Sequence, residues 1–490
     1  MTSIFQRANP SIQQLFEKAG SPRKVMCIPI DYAKKQHTAL VCNGEGLLLR
    51  APFHIHNNLA GIEFLEDIIN GLRRKHAIKK SGVLFGGEDG GVFAHNFIHA
   101  LLVKRYLGIG LNAHDAARER ENHAASTDKL DLLGIASLMI NKKWGRTLSA
   151  EVSEARILRD QTHHRASLVK AQAITQMRIH RLVEQLLPGF LDETQSGLTA
   201  FGRASLWVME HGLAPRQILA RKPESLAEKL GLLMVRDPVA KAERLRTLAA
   251  SVAPPPARLC DVVQANLTHE ISIYEHQNAC INELERDIAR HLAPTPGALL
   301  TTVPGIGVTL AAALYAEIGD TSRDRGMKKM TAYAGLAGRL KQTGGPENQA
   351  VPCGRTRRVC IPLKRTIMDI ALKTQQYGHE ELRRDFERRV NAGQHVRLTM
   401  GRRMLRIARH LVRDRKFFLP PSLVHSTDRE ALRDHYARAW DRILIKWRDA
   451  AAIQQAFAEG TPLEEWRVAL HALYDLNLSK TSPQHRKLKT

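Results

Sequence analysis

The chain has 490 residues, a formal charge of +24 from 73 Lys and Arg against 49 Asp and Glu, and 43% hydrophobic content, which excludes wholesale disorder and favours several domains. Such an excess of cations favours a polyanionic partner, because cationic surfaces release counterions from nucleic acid on binding. No apolar run approaches a membrane span, Met1 to Arg7 lacks a signal-peptide pattern, and six scattered cysteines lack metal or redox spacing, so the expectation is a cytoplasmic, reduced, non-membrane protein.

Residues 1–23 form a polar lead-in. From 24 to 145 the pattern alternates strand and helix, with strands at 24–31, 37–43, 47–53, 81–87 and 109–113 and helices at 58–75, 92–107 and 127–141. Three close strands suit a meander of hairpins, and later strands separated by helices suit parallel crossovers. Asp31 closes the apolar run Val25 to Ile30, and Glu88 follows the run Gly82 to Phe85. Asp128 and Asp131 lie three residues apart in a helical pattern, on one face of that helix. Hard divalent cations take such oxygen ligands, and two of them can clamp a phosphodiester. Spacing alone leaves the alternative open that these acids cap helices or face solvent.

After Trp144-Gly145 the strands stop. Residues 150–187 carry Val152, Ala155, Leu158, Leu168, Ala171, Ile174, Met177, Leu182 and Leu186 at helical spacing, ending at Pro188-Gly189. Three shorter helical segments follow between 193 and 249, then the break Pro254-Pro255-Pro256. A second long helix, 258–292, turns Val262, Val263, Leu267, Ile271, Ile273, Ile281, Leu284 and Ile288 inward. The two long helices predict an antiparallel coiled-coil arm that packs on itself or pairs two copies.

Val303-Pro304-Gly305-Ile306-Gly307, leading into an alanine-rich helix, has the form of a helix-hairpin-helix element. Gly305 and Gly307 would let the backbone approach a phosphate at the new helix's start. Further on, residues 383–416 hold twelve cations against Asp385, Glu387 and Asp414. Leu398, Met404, Leu405, Ile407 and Leu411 make the second half apolar on one face, and Arg402, Arg403 and Arg406 are candidate nucleic-acid contacts. After Pro420-Pro421 a last helical module, with Trp440, Trp447 and Trp466 in its core, runs to about residue 475 before a basic tail.

Taken together, Ile-Asp-Tyr-Ala-Lys-Lys at 30–35, Gly-Glu-Asp-Gly-Gly at 87–91 and Ser-Thr-Asp-Lys-Leu-Asp at 126–131 resemble the DEDD transposases of bridge-RNA-guided insertion sequences, the family that includes pilin-gene invertases. Val303 to Gly307, Ala316-Glu317-Ile318-Gly319-Asp320 and Ala332-Tyr333-Ala334-Gly335-Leu336 resemble the C-terminal transposase domain of the same family. The resemblance implies an α/β plus α architecture. Its parts would be a ribonuclease-H-like catalytic domain at 24–145, the helical arm at 146–295, a mostly helical transposase domain at 296–375, and a basic helical extension at 376–490. It implies that Asp31, Glu88, Asp128 and Asp131 bind Mg²⁺ at the scissile phosphate. It also implies element-end and target DNA, a structured guide RNA and a homo-oligomer as partners, at the bacterial nucleoid.

One departure bears on the chemistry. The family's nucleophilic serine, which becomes linked to DNA, matches Thr343 in Arg339-Leu340-Lys341-Gln342-Thr343-Gly344-Gly345. Threonine keeps a hydroxyl able to form the same ester, although its methyl stiffens the side chain and crowds in-line attack. Gly338 stands where the family usually has proline. Gly354-Arg355-Thr356-Arg357-Arg358 replaces a Lys-Arg-Gly-Asn stretch, so Lys341, Arg355, Arg357 and Arg358 are the candidate phosphate clamps. Two rivals stay open: a resolvase-like nuclease using the same acids with water as nucleophile, and a binding-only relative.

Overall fold

The computed structural model describes residues 8–88, 93–120, 127–319, 326–341, 351–355, 359–392, 396–416, 418–428, 430–432, 434–435 and 438, leaving out the side chains of 128, 339–341 and 351–355. The chain divides into two compact units, Met1–Val152 and Ser153–Thr490.

The first unit is built on a six-stranded sheet of order β3-β2-β1-β4-β5-β6. Its strands are β1 (Met26–Asp31), β2 (Gln36–Asn43), β3 (Leu48–His56), β4 (Val83–Glu88), β5 (Leu107–Leu111) and β6 (Arg146–Thr147). The first three pair antiparallel as the meander predicts, and β1, β4 and β5 run parallel. The short β6 returns antiparallel to β5, where the sequence predicts no strand.

Strand alternation sorts the core into two layers. On one face Met26, Ile28, Ile30, Val83 and Phe85 pack with Ile62, Leu65 and Ile69 of helix Leu59–His76 and with Phe97 and Leu101 of helix His95–Val103. On the other, Val25, Cys27, Leu84 and Ile109 pack with Leu132, Ile135 and Met139 of helix Asp128–Ile140.

The lead-in is not merely polar. Helix α1 (Pro10–Ala19) buries Ile12 and Leu15 in that second layer. Asn9 caps it, accepting from the Ser11 and Ile12 N–H groups while its side-chain amide donates to Gly145 O at 2.9 Å. Two apolar residues one turn apart suffice, because the sheet supplies the rest of the core.

In the second unit, helices Glu154–Leu186 and Ala257–Leu292 lie antiparallel. Their register is fixed by Glu154 to His291 (3.1 Å), Arg165 to Glu285 (2.7 Å), Gln172 to Asn278 (3.5 Å) and Arg178 to Glu270 (3.5 Å). The pair therefore packs on itself. Val262 and Ile273, expected inward, are instead 58% and 44% exposed, and Val152, Ile174 and Met177 also face solvent. A two-helix seam is only about two positions per heptad wide. Val263, Leu267 and Ile271 fill it and rotate their neighbours out.

Between the long helices stand five short ones, Glu193–Ser196, Arg203–His211, Pro215–Ala220, Pro223–Leu232 and Pro238–Ser251, where three segments were expected. Prolines open three of these helices, dividing an apolar stretch that periodicity alone joins. With the far end of the arm they share their own core around Phe190, Met209, Leu230 and Leu245.

A separate core gathers the near end of the arm, the 3₁₀ turn Pro296–Thr302 and helices Val308–Ile318, Ile361–Tyr377, Glu380–Asn391 and Val396–Asp414. The basic run at 383–416 is thus split between the last two. Helix Gly326–Tyr333 and the antiparallel strands β7 (Gly338–Lys341) and β8 (Val351–Arg355) complete this part. The proposed tryptophan module and tail lie outside the described residues.

Candidate active site and nucleic-acid contacts

Asp31 and Glu88 end two neighbouring parallel strands in matched register, since Ile30 pairs with Gly87. By alternation, both carry on the rows Val25-Cys27 and Leu84-Gly86, so both project on the face covered by helix Asp128–Ile140. That helix begins where the sequence signals it. Thr127 is the N-cap, and its hydroxyl accepts from the Leu130 N–H at 3.4 Å. Acids in the first turn suit the positive end of the helix dipole.

Close packing holds the helix to the sheet. A Cβ at Gly86 would lie 3.0 Å from Met139 Sδ and 3.0 Å from Ile109 O, and one at Gly134 would lie 2.4 Å from Ala116 O. Asp131 thereby comes near the strand ends. Burial raises the carboxyl pKa of Glu88, with further upward contributions from Asp131 and then Asp31, and the Arg120 guanidinium opposes them.

Arg120 is the residue that sequence reasoning missed. It ion-pairs with Asp131, both side chains being about one-fifth exposed. It follows helix Ala113–Arg118 with no motif around it, and only the fold reveals its role. His37 is fully buried against Phe97 and Tyr32. Its Nδ1 accepts from the Ala33 N–H at 3.2 Å, which fixes the turn just beyond Asp31, and burial lowers its pKa.

Of the four predicted acids, Glu88 thus feels the charges of both Asp131 and Asp31. The Asp128 side chain lies outside the described residues, and within them no three His, Cys, Asp or Glu groups form a ready metal cage.

In the second unit the hairpin expectation is modified. Gly305 has φ +89°, and a Cβ there would lie 2.9 Å from Lys373 O, so its bare backbone serves packing against helix Ile361–Tyr377. Gly307 begins helix Val308–Ile318 with open space about its Cα, which leaves that backbone approachable. Arg402 donates from Nε to Leu336 O at 2.7 Å, and Arg403 pairs with Asp385 at 2.6 Å. Asp385 also binds Arg388 and Arg389, which hold its carboxyl below the usual range. Arg406 is exposed. Lys341 and Arg355 lie on β7 and β8 by backbone alone, whereas Thr343, Arg357 and Arg358 lie outside the described residues.

Comparison with known families supplies the class of protein that carries this mixed sheet and helical second unit. A family model described as "Transposase" for DEDD proteins of the IS110 type matches residues 28–188, and one described as "Transposase IS116/IS110/IS902 family" matches residues 297–387. The two segments cover just over half of the chain. The protein belongs to the IS110-type DEDD insertion-sequence transposases and is a DNA transposase/recombinase. That family implies DNA binding and typically uses a divalent metal. Comparison with curated proteins returned no match. Among the described residues no helix is long and apolar enough to cross a membrane.

Proposed function

We propose that the protein catalyses strand cleavage and exchange for insertion-sequence transposition, with a ribonuclease-H-like first unit that depends on Mg²⁺ and a hydroxyl nucleophile, Thr343. The observation that carries the reading is the placing of Glu88 where burial, and then the charges of Asp131 and Asp31, raise its pKa. Like charges gathered at the carboxyl ends of parallel strands suit a cation, and Asp128, one turn before Asp131, would complete the set. When bound, Mg²⁺ would supply charge neutralisation at a phosphodiester.

The chain's own groups do the rest. Arg120 orients Asp131 and keeps the cluster from excess negative charge. A general base accepts the proton of the attacking hydroxyl. Thr343 Oγ bonds to phosphorus as the bond to the departing 3′-oxygen breaks, and that oxygen leaves protonated as a 3′-hydroxyl. A free 3′-hydroxyl later attacks the threonyl ester and regenerates Thr343. Gly307, Lys341, Arg355, Arg357, Arg358 and Arg406 are proposed contacts to nucleic acid. Arg402, Arg403 and Gly305 contribute by holding the scaffold.

The +24 charge supports a guide RNA beside DNA, in a homo-oligomer at the nucleoid. The functional division proposed is 24–145 for catalysis, 146–295 for the arm, 296–375 for the transposase domain and 376–490 for the extension.

The test is a trapping assay with Mg²⁺, labelled element-end DNA and RNA transcribed from the flanking sequence. A labelled adduct on denatured protein, lost in Thr343→Ala and in Asp128→Ala, is the expected result. Cleavage without adduct that survives Thr343→Ala would replace the hydroxyl with water. Binding with neither reaction would make the chain a binding-only relative.

A further inference from the structure

Glu317 is a buried carboxylate on the second unit's own terms, only 4% exposed at its side chain. It stands in the last turn of helix Val308–Ile318, the negative end of the dipole, where an acid is disfavoured. An apolar residue would fill this site at no desolvation cost. Its contacts explain the choice. His163 meets its Oε1 at 2.8 Å, Arg159 reaches its Oε2 at 3.5 Å, and the Cys360 thiol donates to Oε2 at 3.2 Å. Arg159 also donates to the Ala316 carbonyl at 2.9 Å, which satisfies the end of the helix.

The line continues beyond Cys360. Tyr333 donates its hydroxyl to the Cys360 sulfur, and the Cys360 backbone N–H donates to the Tyr333 carbonyl at 2.9 Å. Tyr333 ends helix Gly326–Tyr333, and Cys360 is the N-cap of helix Ile361–Tyr377. Between them in sequence lie β7 and β8, which pair antiparallel, so the described chain leaves and re-enters at this residue pair. On the entering side Ala334 and Leu336 are buried, and Arg402 binds the Leu336 carbonyl. Two side chains and one backbone bond thus close the foot of the excursion, and Glu317 underpins them.

We propose that Glu317, acting through Cys360 and Tyr333, is a positioning residue that holds shut the base of the β7–β8 excursion. The functional consequence rests on the proposed role of Thr343, which this excursion carries. A nucleophile displaced by about 1 Å loses about a hundredfold in rate, so a fixed base is worth a buried charge.

The first experiment needs no activity. Full-length wild type, Glu317→Gln, Cys360→Ala and Cys360→Ser are treated with limiting trypsin, and cleavage at Lys341, Arg355, Arg357 and Arg358 is followed by mass spectrometry. Glu317→Gln and Cys360→Ala raise the initial cleavage rate there about fivefold, as loss of one or two hydrogen bonds opens the foot. Cleavage elsewhere stays unchanged. Cys360→Ser, which can still accept from Tyr333 and donate to Glu317, stays within about twofold of wild type. Unchanged cleavage in both disrupting variants, an equal rise at tryptic sites throughout the chain, or a serine variant that behaves like the alanine one would overturn the proposal. Should Glu317→Gln not fold, the Cys360 pair decides alone.

The second experiment measures adduct yield in the same proteins. A fall in adduct at unchanged DNA affinity in the disrupting variants, restored in Cys360→Ser, ties the clamp to chemistry. If wild type forms no adduct while the cleavage pattern responds as expected, the nucleophile assignment fails and the clamp stands.

Discussion

Replacing Glu88 by Gln should stabilise the protein without metal and destabilise it, relative to wild type, with metal. In the folded state Glu88 is pushed up by burial and by Asp131 and Asp31. A carboxyl whose folded pKa lies above its unfolded value binds protons more tightly when folded. Its contribution is therefore most favourable at low pH and is lost as pH rises through the unfolded and then the folded value. Above both values the penalty is fully incurred.

Its size follows from Coulomb's law. Unit charges about 6 Å apart, as carboxylates on neighbouring strands would be, repel by about 0.7–3 kcal/mol for effective dielectrics between 80 and 20. Partial solvent exposure and the Arg120 guanidinium favour the low end, about 1 kcal/mol. Removing it raises the Tm of a unit this size by about 2–4 °C in EDTA. A divalent ion at a hundredfold excess over its Kd adds about 2.7 kcal/mol to wild type, and less to a cluster missing one ligand. The order of the two melting curves should then reverse between EDTA and Mg²⁺, read by calorimetry at pH 7. If Glu88→Gln melts at or below wild type in EDTA, or gains as much from the ion, the acids do not repel one another as described.

Four further outcomes follow. Arg120→Ala removes the one opposing influence on Glu88, so the pH at which Mg²⁺ begins to raise Tm moves upward; an unmoved edge would separate Arg120 from the cluster. Thr343→Ser should form adduct at least as fast as wild type while Thr343→Ala forms none, as read on denaturing gels. Ile271→Ala, fully buried in the arm, should cost about 2–5 kcal/mol in urea unfolding, whereas exposed Ile273→Ala should stay within about 0.5 kcal/mol. Gly134→Ala forces a methyl against the Ala116 carbonyl 2.4 Å away and should cost about 1–3 kcal/mol, with Gly71→Ala, in open space, as the control.

The strands of the first unit were legible because their apolar runs are short and bounded by turns, and because one-residue alternation sorts them into two faces. Asp31 and Glu88 were legible for the same reason: each ends such a run. Arg120 was not, since a guanidinium that meets an acid eleven residues on through a helix start leaves no periodic trace. His37 was hidden because burial of an imidazole depends on Phe97, sixty residues away. In the arm, periodicity found both long helices but overestimated the width of the buried seam, so Val262 and Ile273 were turned the wrong way. Helix breaks at Pro215, Pro223 and Pro238 subdivide a region whose apolar spacing runs on without interruption.

The tip of the arm has its own consequence. The five short helices enter and leave through one antiparallel pair and share a core with its far end alone. Residues can be gained or lost there for little more than the logarithmic cost of closing a loop, without changing the register at the other end. The tip is thus the part of this chain best suited to exchange between relatives, or to grafting a new binding module, while the base of the arm stays as it is.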